Sequence, residues 1–240
     1  AIFKPEAFIE VIKNAVDCAA NNTNLLTIGI EPHRPEIGYG YIQYSPSSTA
    51  DKKVKTFTEK PDIELAKKFI ETGEFVWNAG IFVWSIAAII EAFNKYQPEL
   101  ADLFAAGHSS YGTDEEASYI ETAYSQCKSI SIDYAIMEKA DNVFTFLGDF
   151  GWSDVGSWDA LHELVEKDAD DNAIEQTALL YNSRSNYIKS KKEKLLVISD
   201  LEGYLVADFD DVLLICKKDD AAKFKSFVNE VKATKGDDFI

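Results

Sequence analysis

Leu25-Leu26-Thr27-Ile28-Gly29-Ile30 is an apolar run short enough to be a strand buried on both faces. The segment before it is an amphipathic helix, with Phe8, Ile9, Ile12 and Val16 spaced as one apolar face. A helix followed by a buried strand is half of a crossover unit, and this places the chain in the α/β class. The opening helix has no strand before it to cross over from. An incomplete architecture is therefore expected.

Downstream, Pro32 and Pro35 mark an irregular loop that leads into Gly38-Tyr39-Gly40-Tyr41-Ile42-Gln43-Tyr44. The two glycines either let backbone approach a ligand or turn the chain into a strand. Residues Val54 to Thr58 alternate as a strand that ends at Glu59-Lys60-Pro61, and Asp62 starts a helix through Leu65, Ala66, Phe69 and Ile70. Glu59 and Lys60 thus stand at the carboxyl end of a strand, the edge where open α/β sheets bind ligands. An adjacent carboxylate and ammonium there can hold sugar hydroxyls and a phosphate, or form a solvated pair.

Phe75 to Trp84 is the most apolar stretch, and Asn78 lies inside it. A buried amide must find hydrogen-bond partners, and Gly80 leaves space beside it. Asn78 therefore either reads a hydroxyl-rich ligand or bonds to neighbouring backbone. Ser85 and Pro98 begin two further helices. In Ser131 to Ala140, Ile132, Ala135, Ile136 and Met137 are expected inward, with Asp133 and Glu138 outward. Asn142 to Leu147 is a strand that delivers the chain to Gly148-Asp149-Phe150-Gly151-Trp152-Ser153-Asp154-Val155-Gly156-Ser157-Trp158. This turn sets one acid among glycines and tryptophans. Asp154 there suits a hard cation such as Mg²⁺, which takes one or two carboxylates and fills its shell from phosphates and water. The competing reading makes Asp154 or Ser157 the cap of a helix that faces Leu161, Leu164 and Val165 inward.

The bulk composition bounds the function. With 240 residues, 46% of them hydrophobic and 27% charged, the chain has the make-up of a soluble globular protein. A formal charge of −17 argues against nucleic acid or an anionic membrane as partner. Cys18, Cys127 and Cys216 form no disulfide or thiolate-metal pattern, so a reducing cytoplasm is the expected compartment. No run reaches membrane-spanning length. From about Asn172, short strand-like runs separated by turn formers indicate a small β domain or the coils of a β-helix, closed by a helix from Asp219 to Lys232.

Five stretches in this order resemble the mannose-1-phosphate guanylyltransferases, also called GDP-mannose pyrophosphorylases. They are Gly38-Tyr39-Gly40-Tyr41-Ile42, Phe57-Thr58-Glu59-Lys60-Pro61, Trp77-Asn78-Ala79-Gly80-Ile81-Phe82, Ser131 to Glu138, and Trp152-Ser153-Asp154-Val155-Gly156-Ser157-Trp158. The resemblance implies an incomplete Rossmann-like nucleotidyltransferase domain of the glycosyltransferase-A type over residues 1–170, with a mixed sheet and flanking helices. A small β-rich, β-helix-like domain over 171–240 would follow. It implies attack by mannose 1-phosphate on the α-phosphorus of GTP, giving GDP-mannose and pyrophosphate with Mg²⁺ as cofactor. Asp154 would be one of two metal-binding aspartates, and with Lys60 it would carry the catalysis. Gly38, Tyr39, Glu59, Lys60, Asn78 and Gly80 would contact substrate.

The family's glycine-rich phosphate loop has no counterpart here, and its other metal ligand would fall before Ala1. His33 and Ile37 replace the more usual threonines. The chain is thus expected not to turn over alone. A nucleotidyltransferase for another hexose 1-phosphate and a non-catalytic nucleotide-sugar-binding regulator are the alternatives. The acidic, β-rich tail can mediate self-association into a homo-oligomer.

Overall fold

In the first unit, strand residues alternate between two hydrophobic clusters, and helices cover each cluster. A computed structural model describes residues 1–156, 158–190, 194–218 and 221–239. The chain divides into two compact units, Ala1–Trp152 and Ser153–Ile240.

Helix α1 (Pro5–Asn21) starts on Pro5, where a helix has no use for the missing N–H. Its inward stripe is Phe8, Val11, Ile12, Ala15 and Ala19, spaced three and four residues apart as a helical period requires. The expected face is corrected by that stripe. Ile9 and Val16 sit beside it and are each 49% exposed. Strand β1 (Leu25–Ile30) is buried at every position, as its near-continuous apolar composition requires, with only Thr27 bringing a polar group into it.

Strands β2 (Tyr41–Tyr44) and β3 (Asp51–Thr58) form an antiparallel pair. Helix α2 (Ile63–Thr72) follows, its first turn capped by the Asp62 carboxylate, which accepts from the Leu65 N–H at 2.9 Å. Gly73 ends it at φ 67°, a conformation that favours glycine. Strand β4 (Phe75–Val83) lies between β1 and β2, antiparallel to both. Strand β5 (Val143–Gly148) is parallel to β1 and antiparallel to the start of β3, so the pairing closes as β1-β4-β2-β3-β5. This is the mixed sheet expected.

Alternation along the strands decides what each face buries. Leu26, Ile28, Tyr41, Phe75 and Trp77 join the α1 side, while Leu25, Ile42 and Val76 join Ala88 and Ala92 of α3 (Ile86–Tyr96) on the other. Helices α4 (Pro98–Ala105) and α5 (Glu116–Gln126) extend that side. None of the described helices is long and apolar enough to cross a membrane.

In the second unit, α6 (Trp158–Leu164) supplies Trp158 and Leu161 to a core formed around Ala173, Tyr187, Leu205 and Ala207. The compact division therefore falls at Trp152 and Ser153, ahead of the boundary near 170 read from the sequence. Strands β6 (Ala173–Ile174), β8 (Tyr187–Ser190) and β10 (Tyr204–Asp208) stack in parallel, as do β7 (Ala178–Tyr181) and β9 (Leu196–Ser199). That parallel stacking is the β-helix-like texture expected of the tail.

Buried asparagines tie the coils together. Asn186 donates to Asn172 Oδ1 at 2.9 Å and accepts from the Tyr204 N–H at 2.8 Å. Antiparallel β11 (Leu213–Lys217) ends the stack, and helix α7 (Ala221–Lys235) follows. The expected start of that helix, Asp219, lies outside the described residues, as does Ser157.

Candidate functional site

The site is built around an irregularity in the pairing of β1 and β4. Thr27 pairs with Phe82 and Gly29 with Asn78, so Ile28 alone stands opposite Ala79, Gly80 and Ile81. Such a bulge re-aims side chains and leaves the ladder locally open. Gly80 sits in it at φ 68°, with no atom within 4 Å of where a Cβ would stand. Glycine is required here for its backbone angle, and open space adjoins it.

Asn78, only 8% exposed, is fixed by this bulge. Its Oδ1 accepts from the Thr27 hydroxyl at 2.7 Å and from the Gly80 N–H at 3.2 Å, and its Nδ2 donates to Asp133 Oδ1 at 3.2 Å. Its backbone N–H donates to the Gly40 carbonyl at 2.8 Å, which joins β4 to the glycine loop. A Cβ on Gly40 would lie 2.7 Å from Glu59 Oε2 and 3.3 Å from the Asn78 Cβ. This glycine is needed for the close approach of three segments.

Glu59 and Lys60 form an ion pair at 2.8 Å in which the Glu59 side chain is 9% exposed and the Lys60 side chain 61%. The carboxylate is thus embedded in the site and the ammonium faces outward. Lys60 takes a positive φ of 47°, unusual for a residue with a side chain, and its N–H donates to the Tyr39 carbonyl at 3.2 Å. Its hydrogen bond and charge attraction to Glu59 raise its pKa, which keeps the ammonium protonated.

Burial raises the pKa of Asp133, and repulsion from Glu59 adds to this. The expected outward placement of Asp133 is corrected by these contacts. A π-helical turn, Asp133–Met137, closes with a bond from the Glu138 N–H to the Asp133 carbonyl and buries Ala135, Ile136 and Met137 in succession. The extra residue in that turn rotates Asp133 toward Asn78. Glu138 is exposed, as expected, and its carboxylate accepts from the Glu59 N–H at 3.4 Å.

The remaining candidates fall in two places. Gly38 is exposed, and its N–H donates to the Glu36 carboxylate at 2.9 Å. The Tyr39 ring is core, edge-on to Trp77 at 5.3 Å and to Trp152 at 5.2 Å, and its carbonyl accepts from the Lys60 N–H. Asp154 belongs to the second unit and is exposed. Helix α6 begins at Trp158, too far along for Asp154 to cap it. The carboxylate instead accepts from the Gly156 N–H at 2.9 Å across Val155, whose φ is 54°.

Among the described residues no three His, Cys, Asp or Glu side chains gather as a metal cage. A cavity of about 960 Å³ lies elsewhere, lined by Phe93, Leu100, Phe104 and Tyr124 on α3, α4 and α5, and its walls offer hydrocarbon to a ligand.

The mixed sheet thus groups an acid, Glu59, an ammonium, Lys60, and an amide, Asn78, near the bulge in β4. Residues 1–171 match the nucleotidyl transferase family model, and the chain belongs to that family. It is 31% identical over 233 residues to xanthan biosynthesis protein XanB of Xanthomonas campestris pv. campestris (strain B100), covering 97% of this chain and 49% of XanB. It is 33% identical to the mannose-1-phosphate guanylyltransferase of Sinorhizobium fredii (strain NBRC 101917 / NGR234), over 97% of this chain and 46% of that protein.

Among solved structures, one described as mannose-1-phosphate geranyltransferase from Thermus thermophilus superposes with a TM-score of 0.82 at 30% identity, covering 97% of this chain and 67% of that one. The chain spans about half the length of the curated relatives it matches.

Proposed function

We propose that this chain carries the sugar-phosphate side of a nucleotidyltransferase that makes GDP-mannose and pyrophosphate from GTP and mannose 1-phosphate. The observation that carries the reading is the Glu59-Lys60-Asn78 cluster at the Gly80 bulge, in a chain whose relatives include proteins named mannose-1-phosphate guanylyltransferase. Hydroxyl-rich ligands need donors and acceptors fixed in a dry wall, and phosphate needs a mobile cation beside them. Asn78 and Glu59 supply the first. Lys60 supplies the second.

In the reaction, a phosphate oxygen of mannose 1-phosphate attacks the α-phosphorus of GTP, and the bond from that phosphorus to the bridging oxygen of pyrophosphate breaks. Positioning and charge neutralisation carry such a transfer. Lys60 stays protonated and offsets phosphate charge as it shifts, while Glu59 orients the ring by accepting from a hydroxyl. Gly38 offers backbone at the rim. Asp154, an exposed hard-oxygen donor braced by the Gly156 N–H, is the residue that would hold a hard cation such as Mg²⁺. A Mg²⁺ held there would supply positive charge to offset that of the phosphates. The reaction needs nucleoside triphosphate, and the cytoplasm supplies it.

Calorimetric titration of the 240-residue chain with mannose 1-phosphate tests this reading. Saturable binding that weakens about ten-fold or more in Lys60→Ala, the loss of one charge-assisted contact, is expected. Binding indifferent to Lys60 and Glu59 would overturn it.

A further inference from the structure

The bonding of Asn78 fixes what it can still do. Both lone pairs of Oδ1 are engaged, by the Thr27 hydroxyl and the Gly80 N–H, and one Nδ2 hydrogen goes to Asp133. Turning the amide over would set Nδ2 against the Gly80 N–H and Oδ1 against the carboxylate. Two independent partners therefore forbid it. Among the described residues the second N–H of Asn78 has no acceptor, and Gly80 keeps the adjoining space clear. Asn78 is accordingly a donor toward any ligand. The neighbouring Asp133 is an acceptor.

We infer that Asp133 is a specificity-determining residue of this site, and that it forms with Asn78 a donor-and-acceptor pair for two neighbouring hydroxyls of a hexose ring. The inference rests on the sugar-phosphate reading above and adds a residue to it. Asn78 Nδ2 and Asp133 Oδ1 are 3.2 Å apart, a spacing comparable with that of hydroxyl oxygens on adjacent ring carbons. The amide N–H donates to one hydroxyl oxygen, and the carboxylate accepts from the O–H of the other. An epimer with one of those hydroxyls turned away leaves a desolvated group unpaired, which discriminates far more than lost contact area does.

The setting of Asp133 fits this role. Glu59 repels it across the site, Lys60 attracts it, and Tyr134 stands beside it on the same turn. Burial disfavours its charged form, so a hydroxyl that donates to it relieves a cost already present in the empty site. A carboxylate held this way is poised for a donor.

Two measurements on the 240-residue chain test the inference. The first is calorimetry with mannose 1-phosphate and glucose 1-phosphate. Asp133→Ala should weaken mannose 1-phosphate roughly ten-fold or more and bring the affinity ratio of the two sugars toward one. Asp133→Asn keeps an acceptor for Asn78 but loses the charge, and should fall between. Losses equal for both sugars, with the ratio unchanged, overturn the inference alone. No binding by the unaltered chain overturns it together with the sugar-phosphate reading.

The second measurement needs no ligand. The side-chain amide signals of Asn78 in an NMR acid titration should move as Asp133 takes up a proton and stay still in Asp133→Asn, the backbone spectrum showing that the fold persists. Asn78 signals that stay still in the unaltered chain overturn the inference.

Discussion

Asn78→Ala strands the Thr27 hydroxyl, and the cost follows from where that hydroxyl lies. Thr27 is 0% exposed, and its Oγ1 donates to Asn78 Oδ1 at 2.7 Å, a bond buried at both ends. A buried donor left without an acceptor costs about 1–3 kcal/mol. The Gly80 N–H also loses its acceptor, but Gly80 is exposed and water replaces the bond at little cost. The expected loss is therefore about 2 kcal/mol, nearly all of it from Thr27.

Thr27→Val alone removes the donor but leaves Asn78 Oδ1 bonded to Gly80, and should cost about 1 kcal/mol. In the double variant no buried hydroxyl remains to be stranded. Its loss should fall below the sum of the singles by about 1 kcal/mol or more. Urea unfolding followed by tryptophan fluorescence measures all four corners of the cycle, with equal m-values as the check that the unfolded state is unchanged. Additivity within about 0.5 kcal/mol would refute the reasoning, because it would mean that the two side chains do not interact.

Further outcomes follow from other contacts. Gly40→Ala puts a methyl 2.7 Å from Glu59 Oε2, so denaturation should show a loss of about 1–3 kcal/mol, and calorimetry weaker mannose 1-phosphate binding. Folding favours protonated Asp133, so its charge costs stability at neutral pH and ceases to do so below the ordinary carboxylate range. Thermal melts should accordingly show Asp133→Asn gaining on the unaltered chain as pH rises, and an advantage constant from acid to neutral pH would contradict the shift. Asn186→Ala removes bonds to Asn172, Leu201 and Tyr204 from a fully buried position. Amide exchange should speed across the second unit by an amount equivalent to roughly 2 kcal/mol or more, with the first unit unchanged.

Elements with a strong period were legible in the sequence. The mostly apolar run Leu25–Ile30 is a strand buried throughout, and Asp62 and Ser85 cap the helices they were expected to cap. Where two apolar stripes competed, as on α1, period alone chose Ile9 and Val16 over the small residues Ala15 and Ala19. Alanine carries little hydrophobic weight, yet it lets a helix lie close to a sheet. The candidate site was legible as residue types: Glu59, Lys60, Asn78 and Gly80 do gather.

Asp133 and Thr27 escaped because their roles depend on pairing across the fold. A π-helical turn breaks the helical period that sent Asp133 outward, and three successive buried residues, Ala135 to Met137, were the one sequence trace of it. Nothing in the strand pattern of Leu25–Ile30 sets Thr27 apart. Its partner is 51 positions away. Tyr39 entered the candidate set through the family resemblance, and its ring packs edge-on against Trp77 and Trp152, contacts that no local pattern in the sequence announces.

The central claim is that these residues serve guanylyl transfer to mannose 1-phosphate. Its most direct test is pyrophosphate release by the complete gene product carrying this sequence, supplied with GTP, mannose 1-phosphate and Mg²⁺, beside its Asp154→Ala and Lys60→Ala versions. Release that depends on both substrates and falls at least a hundred-fold in each variant, as loss of a phosphate-neutralising group in phosphoryl transfer predicts on the order of 10²–10³, would bear the account out. A folded complete protein that binds GDP-mannose but releases no pyrophosphate would contradict it.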